Sequence, residues 1–471
     1  MKHFRPAILT LLVSIGHAAP LALHPENPRY LLWEGEPTVL VTSGEHYGLL
    51  LNTAFDHGRY FAELAAHGLN HTRVFSGVYR EVPVSFGITD NPLAPGADDY
   101  ICPWPRSATK GAADGRNKFD LSKWNPAYFQ RLREMMREAA KHGIVVEFTL
   151  FCPMYRDEMW SACPMNVRNN INGIGRCGRT EVYALKHADL TNLHEAFVTK
   201  AAEELRDFDN LYFEICNEPY FGGVTGAWQR RMIDVLAAAD QGRHLISLNI
   251  ANGRKKVENP HPAVSIFNFH YCVPPDTVAM NFGLGKVIGE NETGFRGKAD
   301  VLYRTEGWDF LLAGGALYNN LDYSFTPGHP DGSLRDYKSP GGGSRELRRQ
   351  LGILKKFVES FEFTAMRPAT GVVKRTEPEL TASVLANAGK AYAIYLHTPV
   401  PNKPKKLEQL LRKNRTARVT LEIPKGTYRM EWLNPVTGRT GDPLPLRHSG
   451  GAVELVTPAF DNDIALRIVR P

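Results

Sequence analysis

The sequence predicts an α/β chain: a (β/α)8 TIM barrel followed by a small all-β sandwich. Three observations carry this. Up to residue 361, eight apolar, strand-like runs alternate with stretches of helical periodicity. Beyond it, short strands are split by Gly, Pro and Asn turns, as in ARVTLEI, YRMEWL, AVELV and IALRIV. No Gly-rich phosphate loop follows the first run, which sets a doubly wound dinucleotide fold aside.

The strands are expected at 37–43, 70–75, 144–150, 210–216, 244–249, 263–270, 286–291 and 315–323, and the helices at 59–67, 127–142, 193–208, 228–239, 298–312 and 345–361. Two long inserts, 76–123 and 151–189, follow strands two and three and so belong to the face on which barrel enzymes build their sites. They carry Tyr79, Trp104, Tyr155, Trp160 and Tyr183, aromatic side chains suited to stacking on sugar rings or to packing the inserts themselves. The expected organisation is a leader at 1–18, a barrel at 19–361 and a sandwich at 362–471.

The leader reading rests on Lys2 and Arg5 ahead of the apolar run 6–16, with small residues at Gly16 and Ala18 for cleavage after Ala18. The run is short for a bilayer span, so the expected location is secreted or periplasmic, with no membrane span after cleavage. Composition is that of an ordinary globular chain, with 43% hydrophobic, 23% charged and 10% aromatic residues, which excludes disordered and fibrous classes. The net charge of +6 over 471 residues is too mild to argue for nucleic acid, leaving a small molecule or neutral polymer as partner. Six cysteines without a CxxC spacing argue against a zinc site. Cys163 and Cys177, which bracket a polar insert, are the best candidates for a bridge, and Cys216 reads as a buried thiol. Oligomeric state stays open.

The candidate chemistry sits at strand ends. Strand four runs into Cys216-Asn217-Glu218-Pro219, so alternation and the terminating proline put Glu218 at the catalytic rim. Strand seven offers a second carboxylate, Glu292 or Glu290, in Gly289-Glu290-Asn291-Glu292-Thr293-Gly294. Two carboxyl groups across a barrel mouth, one protonated and one ionised, are what cleavage of a glycosidic bond requires.

The segments ICNEP, NHTRVF, NFHYC and GENETG, on strands four, two, six and seven, resemble in type and order the clan A glycoside hydrolases, specifically family 5 and cellulase-like barrels joined to a C-terminal sandwich of the collagen-binding type. The resemblance implies Glu218 as acid/base, Asn217 as donor to the sugar 2-hydroxyl, Arg73 as support for the nucleophile, and His270 with Tyr271 lining the same subsite. It implies Glu292 as nucleophile, because Glu292-Thr293-Gly294 fits the family pattern and Glu290-Asn291-Glu292 does not; Glu290 remains the alternative. Strand three ends without the usual His and strand eight without the usual Trp, where Asn319, Asn320 and Asp322 are either substitutes that bond sugar hydroxyls or polar packing. His46 and Trp160 complete the candidate substrate contacts, and Glu306 reads as a helix-face charge.

The expected activity is thus a retaining, cofactor-free hydrolysis of a poly- or oligosaccharide, with the carboxyls about 5 to 5.5 Å apart and Glu218 raised in pKa. A non-catalytic carbohydrate-binding or adhesion protein on a degenerate barrel is the alternative.

Overall fold

The computed structural model describes residues 19–471; the expected leader at 1–18 lies outside the described residues. Eight parallel strands form the central sheet: β1 (Leu40–Gly44), β2 (His71–Phe75), β3 (Val145–Phe151), β4 (Leu211–Cys216), β5 (Ile246–Asn252), β6 (Val264–His270), β7 (Val287–Thr293) and β8 (Leu317–Leu321). From β2 to β8 each pairs with its successor, and β8 pairs back onto β1. At the remaining seam, between β1 and β2, Phe75 N donates to Tyr47 O at 3.1 Å near the rim, and one asparagine closes the lower end. Asn70 N donates to Val41 O at 3.3 Å while its side-chain oxygen accepts from Val41 N at 3.0 Å, so the barrel closes without a regular ladder.

The long helices are α1 (His57–Ala66), α2 (Pro126–Lys141), α3 (Ala188–Leu205), α4 (Gly226–Asp240), α5 (Asp300–Leu312) and α6 (Arg345–Glu359). Several start at side chains that satisfy the free amides of a first turn: Asp56 accepts from Arg59 N, Thr225 from Trp228 N and Ser344 from Leu347 N. No long helix follows β5, and only the short Asp276–Asn281 follows β6. Among the described residues, no helix is long and apolar enough to cross a membrane.

Alternation along the strands splits polar from apolar. On β3 and β4, Glu147, Thr149 and Glu214 join a polar network across the barrel axis, while Val146, Phe148, Phe213 and Ile215 are buried in the apolar core. The fold's main hydrophobic contact is therefore between sheet and helices, and the barrel axis is left free for charge.

Residues beyond 366 form a six-stranded and a three-stranded antiparallel sheet. The larger is buried on both faces, and the two-residue period explains how. Tyr392, Ile394 and Leu396, with Ile464, Leu466 and Ile468, meet Val419 and Leu421 of the smaller sheet to form the sandwich core. The intervening Ala393, Tyr395 and Ala465 join the barrel core instead. Trp432 belongs to the sandwich core, as its apolar surroundings in the sequence suggest.

The junction is made by α5, which is buried nearly all round and hence carries no strong amphipathic period. Its Trp308 stacks on Tyr395 at 4.9 Å between centroids. One turn earlier, Arg304 makes two 2.8 Å bonds to the Asp463 carboxylate, which also accepts from Tyr395 at 2.8 Å. Glu306, expected as a helix-face charge, is buried, accepting from Thr293 at 3.1 Å and paired with Arg296 at 2.8 Å.

Breaking the Arg304–Asp463 pair leaves a guanidinium buried without its counterion. Asp463→Ala is expected to lower the unfolding free energy by about 3–5 kcal/mol in urea titrations. A loss under about 1 kcal/mol would show that the pair does not fasten sheet to barrel.

Candidate active site

Loops at the C-terminal ends of six barrel strands meet around one pocket. His46 and Tyr47 come from the β1 loop, Tyr79, Glu81, Phe86 and Leu93 from the first insert, and Tyr155 from the second. Asn217 and Glu218 follow β4, Tyr271 follows β6, and Glu292 and Phe295 belong to β7 and its loop.

Glu218 sits just past β4 with φ at 35°, and Tyr47 and Tyr271 on the same rim have φ of 57° and 55°. Left-handed backbone is disfavoured for side-chain-bearing residues, and its concentration here marks a rim whose conformation is imposed by its surroundings. Glu218 Oε1 lies 3.2 Å from His270 Nδ1 and accepts from Tyr220 at 3.2 Å; Oε2 accepts from Tyr155. Burial alone would raise its pKa, but the His270 and tyrosine hydrogen bonds outweigh this and hold the carboxyl below the usual range. The sequence expectation of a raised value is thereby corrected for the free protein: the donors around Glu218 stabilise its anion.

Glu292 is aimed by a β-bulge. Against β6, Phe269 pairs with Glu290 and His270 with Glu292; against β8, Glu290 pairs with Tyr318 and Thr293 with Asn320. The extra residue breaks the alternation, so neighbouring side chains diverge. Asn291 points into the barrel, donating to Glu214 at 2.8 Å and Glu147 at 3.0 Å, and Glu292 turns into the pocket. Glu290, which strict alternation would place beside Glu292, instead accepts from Cys272 N at 2.6 Å, outside the pocket lining. Burial, then the neighbouring Glu306, push its pKa well up.

Glu292 Oε1 accepts from Tyr271 at 2.6 Å, and Oε2 from Tyr47 at 2.9 Å and Arg73 Nη1 at 3.2 Å. Arg73 also donates to Asn217 at 2.7 Å and, through Nε at 3.1 Å, to Glu214. His270 Nδ1 stands 3.5 Å from Glu292 Oε1, between the carboxyls, and one ligand atom of each of the three residues lies within 4.8 Å of the others. Glu-His-Glu is also a plausible donor set for a cation. Its oxygens, however, already accept from four tyrosine hydroxyls and the Arg73 guanidinium, donors that satisfy the two carboxylates without a metal.

Beneath the pocket, burial and the charge of Glu214 push Glu147 up to about 8 against the pull of Arg73. One guanidinium serves Glu214 and Glu292 directly, and Glu147 is left to hold its proton at neutral pH.

Of the residues singled out in the sequence, Glu218, Glu292, Arg73, Asn217, His270 and Tyr271 come together, and His46 lines the same pocket. Two do not join them. Trp160 is buried in the second insert, its Nε1 bonded to Cys177 O at 2.8 Å. Asn320 is fully buried, donating to Ser43 at 2.9 Å, while Asp322 pairs with Arg348 at 2.6 Å, so the β8 polar group is packing. The expected Cys163–Cys177 bridge is absent: both thiols are free, and Cys163 Sγ contacts Val78 O at 3.4 Å. Tyr47, Tyr220 and Glu81 also contact this constellation and are not among the residues the sequence singles out. The first two lie within two positions of His46 and Glu218, a proximity that could have drawn attention to them; Glu81 lies in an insert without periodicity and gave no signal.

This barrel with its strand-end carboxylates has the fold of glycoside hydrolases. A family 5 glycoside hydrolase from Bacteroides vulgatus superposes with a TM-score of 0.63 at 14% identity, over 96% of this chain and 93% of that one. A further glycoside hydrolase gives 0.62 at 16% identity, over 96% and 97%. A family 5 mannosidase from Rhizomucor miehei gives 0.50 at 10% identity, over 73% and 99%. By sequence, neither a protein-family profile nor a curated protein matches.

The raised pKa of Glu147 makes a signed prediction. The folded protein binds a proton that the unfolded chain releases near pH 4.5, so this group costs stability as pH rises from there to about 8. Glu147→Gln carries no such cost. Its stability relative to wild type is expected to rise across that window and level off above it, measured by urea unfolding at stepped pH; a flat difference would contradict the assignment.

Proposed function

We propose that the protein is a secreted retaining glycoside hydrolase, with Glu292 as nucleophile, Glu218 as acid/base and an O-linked poly- or oligosaccharide as substrate. The observation that carries the reading is the pair itself: two carboxylates with oxygens within 4.8 Å, on β7 and just past β4, one backed by a buried arginine. That spacing suits direct attack better than an interposed water. Residues 19–361 are proposed as the catalytic unit and 362–471 as a brace on it.

The chemistry runs in two displacements. Glu218 gives its proton to the glycosidic oxygen as Glu292 Oε attacks the anomeric carbon, forming the glycosyl ester and freeing the aglycone alcohol. Arg73, Tyr47 and Tyr271 hold Glu292 in place, and Asn217 is positioned to donate to the sugar 2-hydroxyl. Once the ester forms, the Glu292 charge is gone. Glu218, held as an anion by His270, Tyr155 and Tyr220, then takes a proton from water, whose oxygen attacks the anomeric carbon and releases Glu292. The donors that depress the Glu218 pKa favour this second step; the first draws on the protonated fraction, so kcat/KM should fall as pH rises on the acid side of neutrality.

A non-catalytic sugar-binding protein is the rival reading, and it offers no reason to back one rim carboxylate with a buried guanidinium.

Glu292→Gln is expected to lose at least about a thousandfold in kcat, while Glu290→Gln stays within about threefold of wild type. The reverse pattern would move the nucleophile to Glu290. Glu218→Gln should still react with aryl glycosides bearing good leaving groups and be rescued by azide. Chelators should leave the rate unchanged; a loss restored by one divalent metal would defeat the two-carboxylate chemistry. Tyr155→Phe removes a donor from Glu218, so the descending limb of its kcat/KM profile should move to higher pH; a limb that stays in place would take the acid role from Glu218.

A further inference from the structure

We infer that the pocket admits a single terminal, uncharged sugar unit, gripped by Glu81 and His46, so that the protein removes sugars from chain ends. The inference rests on Glu218 and Glu292 as the catalytic pair and adds a third carboxylate to the same pocket.

Glu81 lines the cavity with them and is 4% exposed. Its Oε1 faces His46 Nε2 at 3.3 Å and the Tyr79 hydroxyl at 3.4 Å, and its Oε2 accepts from Asn91. An ionised carboxylate offers about four acceptor sites, so one remains for an incoming hydroxyl. His46 is 7% exposed, and its Nδ1 has no hydrogen-bond partner among the described residues. A buried ring nitrogen without a partner costs free energy, which a ligand hydroxyl recovers if seating the sugar brings it within reach. Together they present an acceptor and a nitrogen that can donate or accept, complementary to adjacent sugar hydroxyls.

Charge selects the sugar. A uronic acid would bring its carboxylate against Glu81, Glu218 and Glu292, while the Arg73 guanidinium beneath is already engaged by Glu214 and Glu292. A neutral unit meets no such repulsion.

Shape selects the chain end. Phe86, carried by the first insert, reaches over the pocket and meets Tyr155 of the β3 loop and Phe295 of the β7 loop edge-on, at 5.9 and 6.4 Å between centroids. The roof thus joins opposite walls of the mouth, where a chain cut internally would need an open path on both sides. The space is about 50 Å³, so a ring is seated only as the lining side chains shift outward, and a chain running through the pocket would need the roof removed altogether. Val84 and Phe86 have φ of 62° and 54°, a disfavoured backbone conformation that the packing around the roof imposes, as at the rest of the rim.

The test follows first products from reducing-end-labelled oligosaccharides of a neutral polysaccharide panel, with 4-nitrophenyl glucuronide as the charged comparison. Wild type should release monosaccharide alone from the unlabelled end and leave the glucuronide untouched. Phe86→Ala should begin to cut chains whose non-reducing end is blocked. Glu81→Gln should raise KM by about tenfold, the weight of one charged hydrogen bond, with little change in kcat. Internal cleavage as the first event in wild type, or glucuronide turnover matching neutral glycosides, would overturn the inference. If no substrate is cut, the catalytic reading fails and the pocket is judged by calorimetric titration with glucose, galactose, mannose, xylose and glucuronic acid. At least one neutral sugar should then bind, glucuronic acid should not, and Glu81→Gln should weaken binding about tenfold; binding of glucuronic acid, or of none, would overturn it.

Discussion

A single buried guanidinium organises the barrel. Arg73 is 1% exposed and reaches Glu214, Glu292 and Asn217 at once, so the cation on β2 ties β4 to β7 across the axis. Burying a charge in this way is tolerable only when its partners are ionised and well placed. That constraint propagates outward. Glu214 and Glu292 are held by the same cation, Glu147 is left to keep its proton, and Asn291, Asn268 and Ser247 all donate to its Oε1.

The polar axis also explains the rest of the architecture. A barrel filled with charge and amide groups cannot draw its hydrophobic stabilisation from the interior, so the apolar faces of the strands pack on the helix layer. On one side the packing extends further, because the six-stranded sheet covers α5 and continues the barrel core outward. The two-faced burial of Leu385, Ala393 and Tyr395 against Val384, Ile394 and Leu396 is the signature of a sheet that binds two partners.

Much of this was legible in the sequence, because strand and helix alternation depends on local periodicity. The strand expected at 210–216 is found at Leu211–Cys216, and the helix expected at 127–142 at Pro126–Lys141. Glu218 and Arg73 could be placed because each sits in or just past a regular strand. Where regularity ended, so did legibility. The β7 bulge sends Glu290 and Glu292 to different surroundings, although a period of two would leave them together. Trp160 and Glu81 lie in inserts without periodicity, where nothing local distinguishes an aromatic that packs from a carboxylate that lines the pocket. The burial of Glu306 was not legible because a helix covered on both sides loses the polar stripe that reveals its orientation.

The most direct measurement is peptide mapping by mass spectrometry after incubation with activated 2-deoxy-2-fluoroglycosides of neutral sugars, which slow the breakdown of a glycosyl ester more than its formation. The two-carboxylate pocket predicts one added fluoroglycosyl group, located on Glu292 itself by fragmentation of its peptide, formed in wild type and lost in Glu292→Gln. A label on Glu290 or Glu81, or hydrolysis with inversion and no label at all, would contradict it.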